Sequence, residues 1–167
     1  MQTHNRTSLF FFITSLAMSA EIFAASPLGD LSTPIQITSD HASLEELKKI
    51  AIYEGHVILT QGSHQLQADT LTVKKELKDG TKVITAIGKP ATFSGKLTND
   101  PAPLHASANT IHYYPDKQLI VLEGSAILEH EQDKFQGPSL SYQLDKQVIT
   151  ATKQNNERPT ITIHPRA

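Results

Sequence analysis

The chain writes one structural unit twice, over residues 39–86 and again over 108–151. Offsetting the sequence by 69 residues aligns Tyr53-Glu54-Gly55-His56-Val57-Ile58-Leu59 with Leu122-Glu123-Gly124-Ser125-Ala126-Ile127-Leu128 without a gap. The register holds through Leu66 on Phe135, Leu71 on Leu140 and Val73 on Tyr142. Connections of unequal length, 74–82 and 143–147, then lead into one identical tetrapeptide, Val83-Ile84-Thr85-Ala86 and Val148-Ile149-Thr150-Ala151. Such a unit buries its apolar face only by stacking on its neighbour, so the repeat governs the architecture.

The first 24 residues have the pattern of a secretory signal peptide: a short polar start with His4 and Arg6, an apolar stretch over 9–20, and Ile22-Phe23-Ala24 before the expected cleavage. The apolar stretch is too short for the roughly 20 residues that a membrane helix needs. Its removal takes one base (Arg6) and one acid (Glu21), leaving 14 Lys/Arg against 16 Asp/Glu and a net charge of −2. A near-neutral chain lacks the clustered basic face that nucleic acid requires. The remaining 143 residues suit one domain. With no cysteine there is no disulfide and no thiolate metal site. An exported chain of this kind fits the periplasm. The expected organisation is therefore a leader over 1–24, a linker over 25–32 and one domain over 33–167.

Apolar residues after the linker recur with period two: Ile35 and Ile37, Leu71 and Val73, Ile111 and Tyr113, Leu140 and Tyr142, Ile161 and Ile163. This is the alternation of half-buried strands, and no stretch sustains a helical period. Ser43 and Glu46 have capping-box spacing, yet the repeat pairs their neighbourhood with the turn signal Tyr114-Pro115-Asp116-Lys117, so 45–49 is expected to be a hairpin turn, with a helical turn as the alternative. A shorter unit recurs within each half. Ser39-Asp40, Ala68-Asp69, Ala108-Asn109 and Gly137-Pro138 occupy equivalent places, and the apolar parity slips by one across each pair. A strand turning a corner between two sheets does this. The expectation is an all-β, open, twisted β-jellyroll of about sixteen short, mostly antiparallel strands, folded as two facing layers.

Parity assigns the faces. Glu54, His56, Ile58 and Thr60, with Glu123, Ser125, Ile127 and Glu129, point to water. Tyr53, Val57 and Leu59, with Leu122, Ala126 and Leu128, point inward. Gly55 and Gly124 permit a bend between them.

Nothing in the chain points to catalysis or a cofactor. The eight histidines form no H-x-H or H-E-x-x-H pattern, and His56 and His64 have Ser125 and Asp133 at the matching places. There is no G-x-S-x-G nucleophile turn and no phosphate-cradling glycine loop. Glu54 and Glu123, the symmetric carboxylates, lie on the solvent face.

The ends carry more information. Ile35, Gln36, Ile37 and Thr38 begin the sheet, and Thr160, Ile161, Thr162 and Ile163 end it, with no capping element in the sequence. An uncovered edge is a template for strand addition. Both edges are expected to support end-to-end association with a second copy.

Thr33-Pro34-Ile35-Gln36-Ile37-Thr38-Ser39-Asp40, Glu54-Gly55-His56-Val57-Ile58-Leu59-Thr60-Gln61-Gly62, Ala68-Asp69, Gly88-Lys89-Pro90-Ala91-Thr92-Phe93 and His105-Ala106-Ser107 with Tyr113 resemble the OstA-like family of periplasmic lipopolysaccharide-transport proteins. The resemblance runs over about 33–151. It implies an open β-jellyroll that carries lipopolysaccharide from the inner to the outer membrane, stacked head to tail with itself and with jellyroll partners at both membranes. It also implies that lipid acyl chains lie between the layers, which puts Ile35, Ile37, Phe93 and Tyr113 on the ligand side, with Tyr53, Leu59, Leu122 and Leu128 on the same inward face. By periodicity alone, those inward residues equally suit an ordinary sealed core.

The leading expectation is thus a non-enzymatic, periplasmic lipid-transport bridge. Its competitors are an inner-membrane-anchored jellyroll of the same system, which requires a retained anchor, and a carbohydrate-binding or adhesion β-module. The last needs exposed aromatic platforms, and the chain has no Trp and four Tyr.

Overall fold

The computed structural model describes residues 33–76, 80–97 and 100–165. The expected leader and linker lie outside the described residues. Ten strands follow in order: β1 Gln36–Thr38, β2 His41–Glu45, β3 Ile50–Gln61, β4 His64–Lys75, β5 Lys82–Leu97, β6 Asp100–Tyr114, β7 Leu119–His130, β8 Asp133–Gln143, β9 Val148–Thr152 and β10 Thr160–Thr162. All pairings are antiparallel and form one sheet, β1-β3-β4-β5-β6-β7-β8-β10, in which β2 also lies on β3 and β9 on β8. The stretch with capping-box spacing forms the β2–β3 hairpin, as the repeat requires.

The strand count corrects the expectation of sixteen. Six strands, β3 to β8, run unbroken through the corner, so each belongs to both layers. The register shift between Glu54 and Val57 in β3 recurs between Glu123 and Ala126 in β7. Alternation had divided at these bulges what the backbone keeps continuous. The first layer holds β1, β10 and the half-strands around 57–68, 91–108 and 126–137. The second holds β2, β9 and the halves around 50–54, 70–87, 110–123 and 139–143.

The corner in β3 and β7 is made by two consecutive left-handed residues. Gly55 and His56 have φ of +78° and +46°, and Gly124 and Ser125 have +75° and +50°. Glycine is needed at the first of each pair for two reasons. The backbone conformation disfavours a Cβ, and an added Cβ would overlap the Asp40 carboxylate at Gly55 or lie 2.8 Å from Asn109 Nδ2 at Gly124. Asp40 and Asn109 are themselves equivalent under the 69-residue offset, so the small-polar pairs of the sequence are the neighbours on which each corner packs.

Inward side chains of both layers meet in one apolar cluster. Leu71, Ile84, Ile111, Ile120, Leu122 and Leu128 are wholly buried, each worth about 1.5–3 kcal/mol relative to exposure. Phe93 of the first layer and Tyr113 of the second have ring centroids 6.1 Å apart, which ties the two layers face to face.

Candidate functional site

The inward face assignment from parity holds: Val57, Leu59, Leu122, Ala126 and Leu128 are buried, while Glu54, His56, Glu123, Ser125 and Glu129 are exposed. What the inward residues meet is each other. Leu59, Phe93, Tyr113, Leu122 and Leu128 lie in a closed core, and Ile35, Ile37 and Tyr53 are half-buried against it. Concavities of the described surface are found on the outer face. One of about 400 Å³ is lined chiefly by outward residues such as Gln65, Gln67, Thr92, Ser94 and His105.

Tyr113 in the closed core and His64 beside it are polar side chains buried from water. Burial pushes the Tyr113 phenol up to about 12, with a smaller contribution from Asp116. Burial likewise lowers His64, against a raising hydrogen bond to the Gln61 backbone. The His64 ring stacks on Phe93 at 5.7 Å between centroids. The repeat pairs His64 with Asp133, which gives no sign of this burial. His64 stands two residues before Leu66 on the inward face of β4.

The interior is least covered at its two ends. At one end β1 and β2 lie end to end along β3, with Ile35 and Ile37 half-buried and Leu44 68% exposed. At the other end β9 and β10 lie along β8, with Phe135, Ile149 and Ala151 half-buried and Ile161 51% exposed. The expected edges, 35–38 and 160–163, are therefore present but incomplete. β2 and β9 continue each edge into the second layer, and short length hid them: each is a five-residue fragment of what the other copy writes as one long strand.

The registers show which strand each fragment replaces. Ile37 pairs with Leu59 as Ala106 pairs with Leu128, and Ala42 pairs with Tyr53 as Ile111 pairs with Leu122. β1 and β2 together thus occupy the place of β6. Likewise Phe135 pairs with Ile161 as Leu66 pairs with Phe93, and Leu140 pairs with Ala151 as Leu71 pairs with Ala86. β9 and β10 together stand for β5. One end of the molecule is β6-like and the other β5-like, and β5 and β6 are the strands that join the two copies inside the chain.

Residues 36–148 match the family described as LptA/(LptD N-terminal domain) LPS transport protein. The chain belongs to this LptA family. It is 32% identical to the lipopolysaccharide export system protein LptA of Escherichia coli strain K12 over 96% of this chain and 87% of that one. It is 30% identical to lipopolysaccharide export system protein LptH of Pseudomonas aeruginosa, over 96% and 90%. The crystal structure of LptH from Pseudomonas aeruginosa, described as the LptA homologous periplasmic component of the lipopolysaccharide transport device, superposes with a TM-score of 0.75 over 82% of this chain and 99% of that one. The LptA family is one of transport proteins rather than enzymes, and its open β-jellyroll is the fold seen here. Among the described residues no group of three or more His, Asp or Glu is placed to hold a metal ion.

Proposed function

We propose that the protein is a periplasmic unit of a lipopolysaccharide bridge, stacking head to tail with further copies and with jellyroll partners at the inner and outer membranes, and carrying acyl chains between its two layers. The observation that supports the stack is the equivalence of its ends to β5 and β6. Docking the β9/β10 edge of one copy on the β1/β2 edge of the next repeats a junction that the chain already forms internally. The β5–β6 register, Ile84↔Tyr113, Ala86↔Ile111, Thr92↔Ser107 and Phe93↔Ala106, then sets the register between copies. Ile149 falls opposite Leu44, Ala151 opposite Ala42, Thr160 opposite Thr38 and Ile161 opposite Ile37. Each pairing covers an end residue that is now half-buried or exposed.

Acyl chains enter this interior by parting the layers, in place of contacts such as Phe93 on Tyr113. Removal of chain surface from water contributes about 25 cal/mol per Å², while sugars and phosphates remain outside. The groove residues are Ile35, Ile37, Tyr53, Leu59, Phe93, Tyr113, Leu122 and Leu128. A carbohydrate platform finds less support, because Tyr53, Tyr113 and Tyr142 face inward and leave only Tyr114 outside. The test is a photocrosslinking side chain at position 93 in cells that export lipopolysaccharide. Crosslinks to lipopolysaccharide from 93, with none from the outward position 92, support the interior as the carrier. The reverse pattern sinks it.

A further inference from the structure

Among the described residues of the apolar cluster, the Tyr113 hydroxyl is buried without a hydrogen-bond partner. Tyr113 is 2% exposed and His64 6%. Phe93 lies against both rings, so the three form one stack that crosses from the first layer to the second. A buried phenol normally finds a partner, because an unmet donor loses the hydrogen bond that water would supply. Phenylalanine would fill the same volume without that loss. In the closed state the hydroxyl has no partner, which leaves it available as a donor to a ligand in another state of the interior.

Its place in the fold says which. Tyr113 is the penultimate residue of β6, next to the turn of 3-10 helix Pro115–Lys117 at the free rim of the second layer. A hydrocarbon chain lying between the layers with its polar head at that rim brings its first oxygen to this depth, while the rest of the chain meets Phe93 and the leucines beyond. For an acyl chain that oxygen is the linkage carbonyl, an acceptor without a proton, and the phenol is a donor. We propose that the Tyr113 hydroxyl is a specificity-determining donor to the ester or amide carbonyl at the head of an acyl chain, exposed to it when the chain displaces Phe93. This assignment rests on the acyl-carrying interior proposed above, and adds to it a preference for acyl over alkyl chains.

The Tyr113→Phe variant removes one oxygen and no hydrocarbon. Calorimetric titration with sucrose monododecanoate, whose chain ends in an ester carbonyl, and with dodecyl maltoside, whose chain is joined through a glycosidic oxygen and has no carbonyl, separates the contributions below micelle formation. Wild type is expected to bind the ester about fivefold more tightly, as one hydrogen bond provides. Tyr113→Phe is expected to bind both alike, at the wild-type affinity for the maltoside, and to melt at the same temperature as ligand-free wild type or above it. Equal wild-type affinities, a preference that survives in the variant, or a lowered melting temperature each overturn the donor role while leaving the acyl-carrying interior standing. Failure of wild type to bind either detergent removes that interior, and the donor role with it.

Discussion

His56 Nδ1 stands 2.7 Å from Asp40 Oδ2, bridging the corner of β3 to the Ser39-Asp40 step between β1 and β2. Asp40 also donates its backbone N–H to the Gly55 carbonyl at 3.0 Å. The carboxylate raises the affinity of His56 for a proton, first through the hydrogen bond and then through its charge. The equivalent corner of β7 has Ser125 and Asn109 and no such pair.

A pH dependence follows from the sign of that shift. A histidine bound more tightly to its proton in the folded state stabilises the fold below its unfolded value of about 6.5, and the contribution is lost as pH rises through the raised folded value. His64 is lowered by burial, so its effect runs the other way: stability falls as pH drops below about 6.5 toward its folded value. Imidazole NMR titration is expected to place His56 above and His64 below the ordinary histidine value. A common midpoint for the two would refute both assignments.

Gly55→Ala and Gly124→Ala are each expected to destabilise the fold by about 1–2 kcal/mol from the left-handed backbone alone, with crowding against Asp40 or Asn109 added. Urea unfolding measures the loss. Gly62→Ala, in the exposed β3–β4 turn at φ +57°, lacks the crowding component and is expected to cost less than either.

Ile161→Pro is expected to leave the monomer folded and to stop end-to-end growth. β10 pairs only with β8, and proline removes a backbone donor that a second copy would use. Sedimentation across a concentration series distinguishes the outcomes: wild type that stays monomeric at high concentration contradicts the stack, and a proline variant that still grows assigns the wrong edge.

The proposed register is testable without background, since the chain has no cysteine. A mixture of Ile37→Cys and Ile161→Cys proteins is expected to oxidise to a crosslinked pair, because directly opposed strand residues lie within disulfide reach. Ile37→Cys with Ile163→Cys, two residues out of register, is expected to crosslink poorly. Equal yields would contradict the β5–β6 template.

Parity alone predicts that Phe93→Asp folds but loses lipid. Burial against His64 and Tyr113 changes the expectation: an unpaired carboxylate there disrupts the core itself, and even Phe93→Ala is expected to cost about 3–5 kcal/mol. Ile37→Asp, at a half-buried end, is the variant expected to keep the fold, seen as an unchanged circular dichroism spectrum, while weakening both lipid binding and stacking.

The layers, the corners and the inward face were legible in the sequence because each depends on period two and its slip at four small-polar pairs. Strand continuity was not, since a bulge such as the one between Glu54 and Val57 interrupts alternation without interrupting the chain. Whether inward residues meet a ligand or one another is equally silent in the pattern. Leu59 and Leu122 alternate identically in either case. His64 escaped although it stands two residues before Leu66 on the inward face of β4, because its repeat partner Asp133 is polar and a histidine does not mark itself as buried. β2 and β9 escaped because a strand cut in two loses the length that marks it.

In the proposed stack, a molecule whose two ends are the halves of its own internal seam would add two repeat units with each copy and keep a single pitch throughout. Along a filament built this way, the joints between molecules and the joints within them are the same joint. Cargo sliding inside would meet no boundary to tell it where one polypeptide stops and the next starts. On the proposed stacking, no residue of the seam encodes a final length either: the filament would end wherever a partner with only one of the two edges covers the last one, so the partners, rather than the subunit, would count the copies.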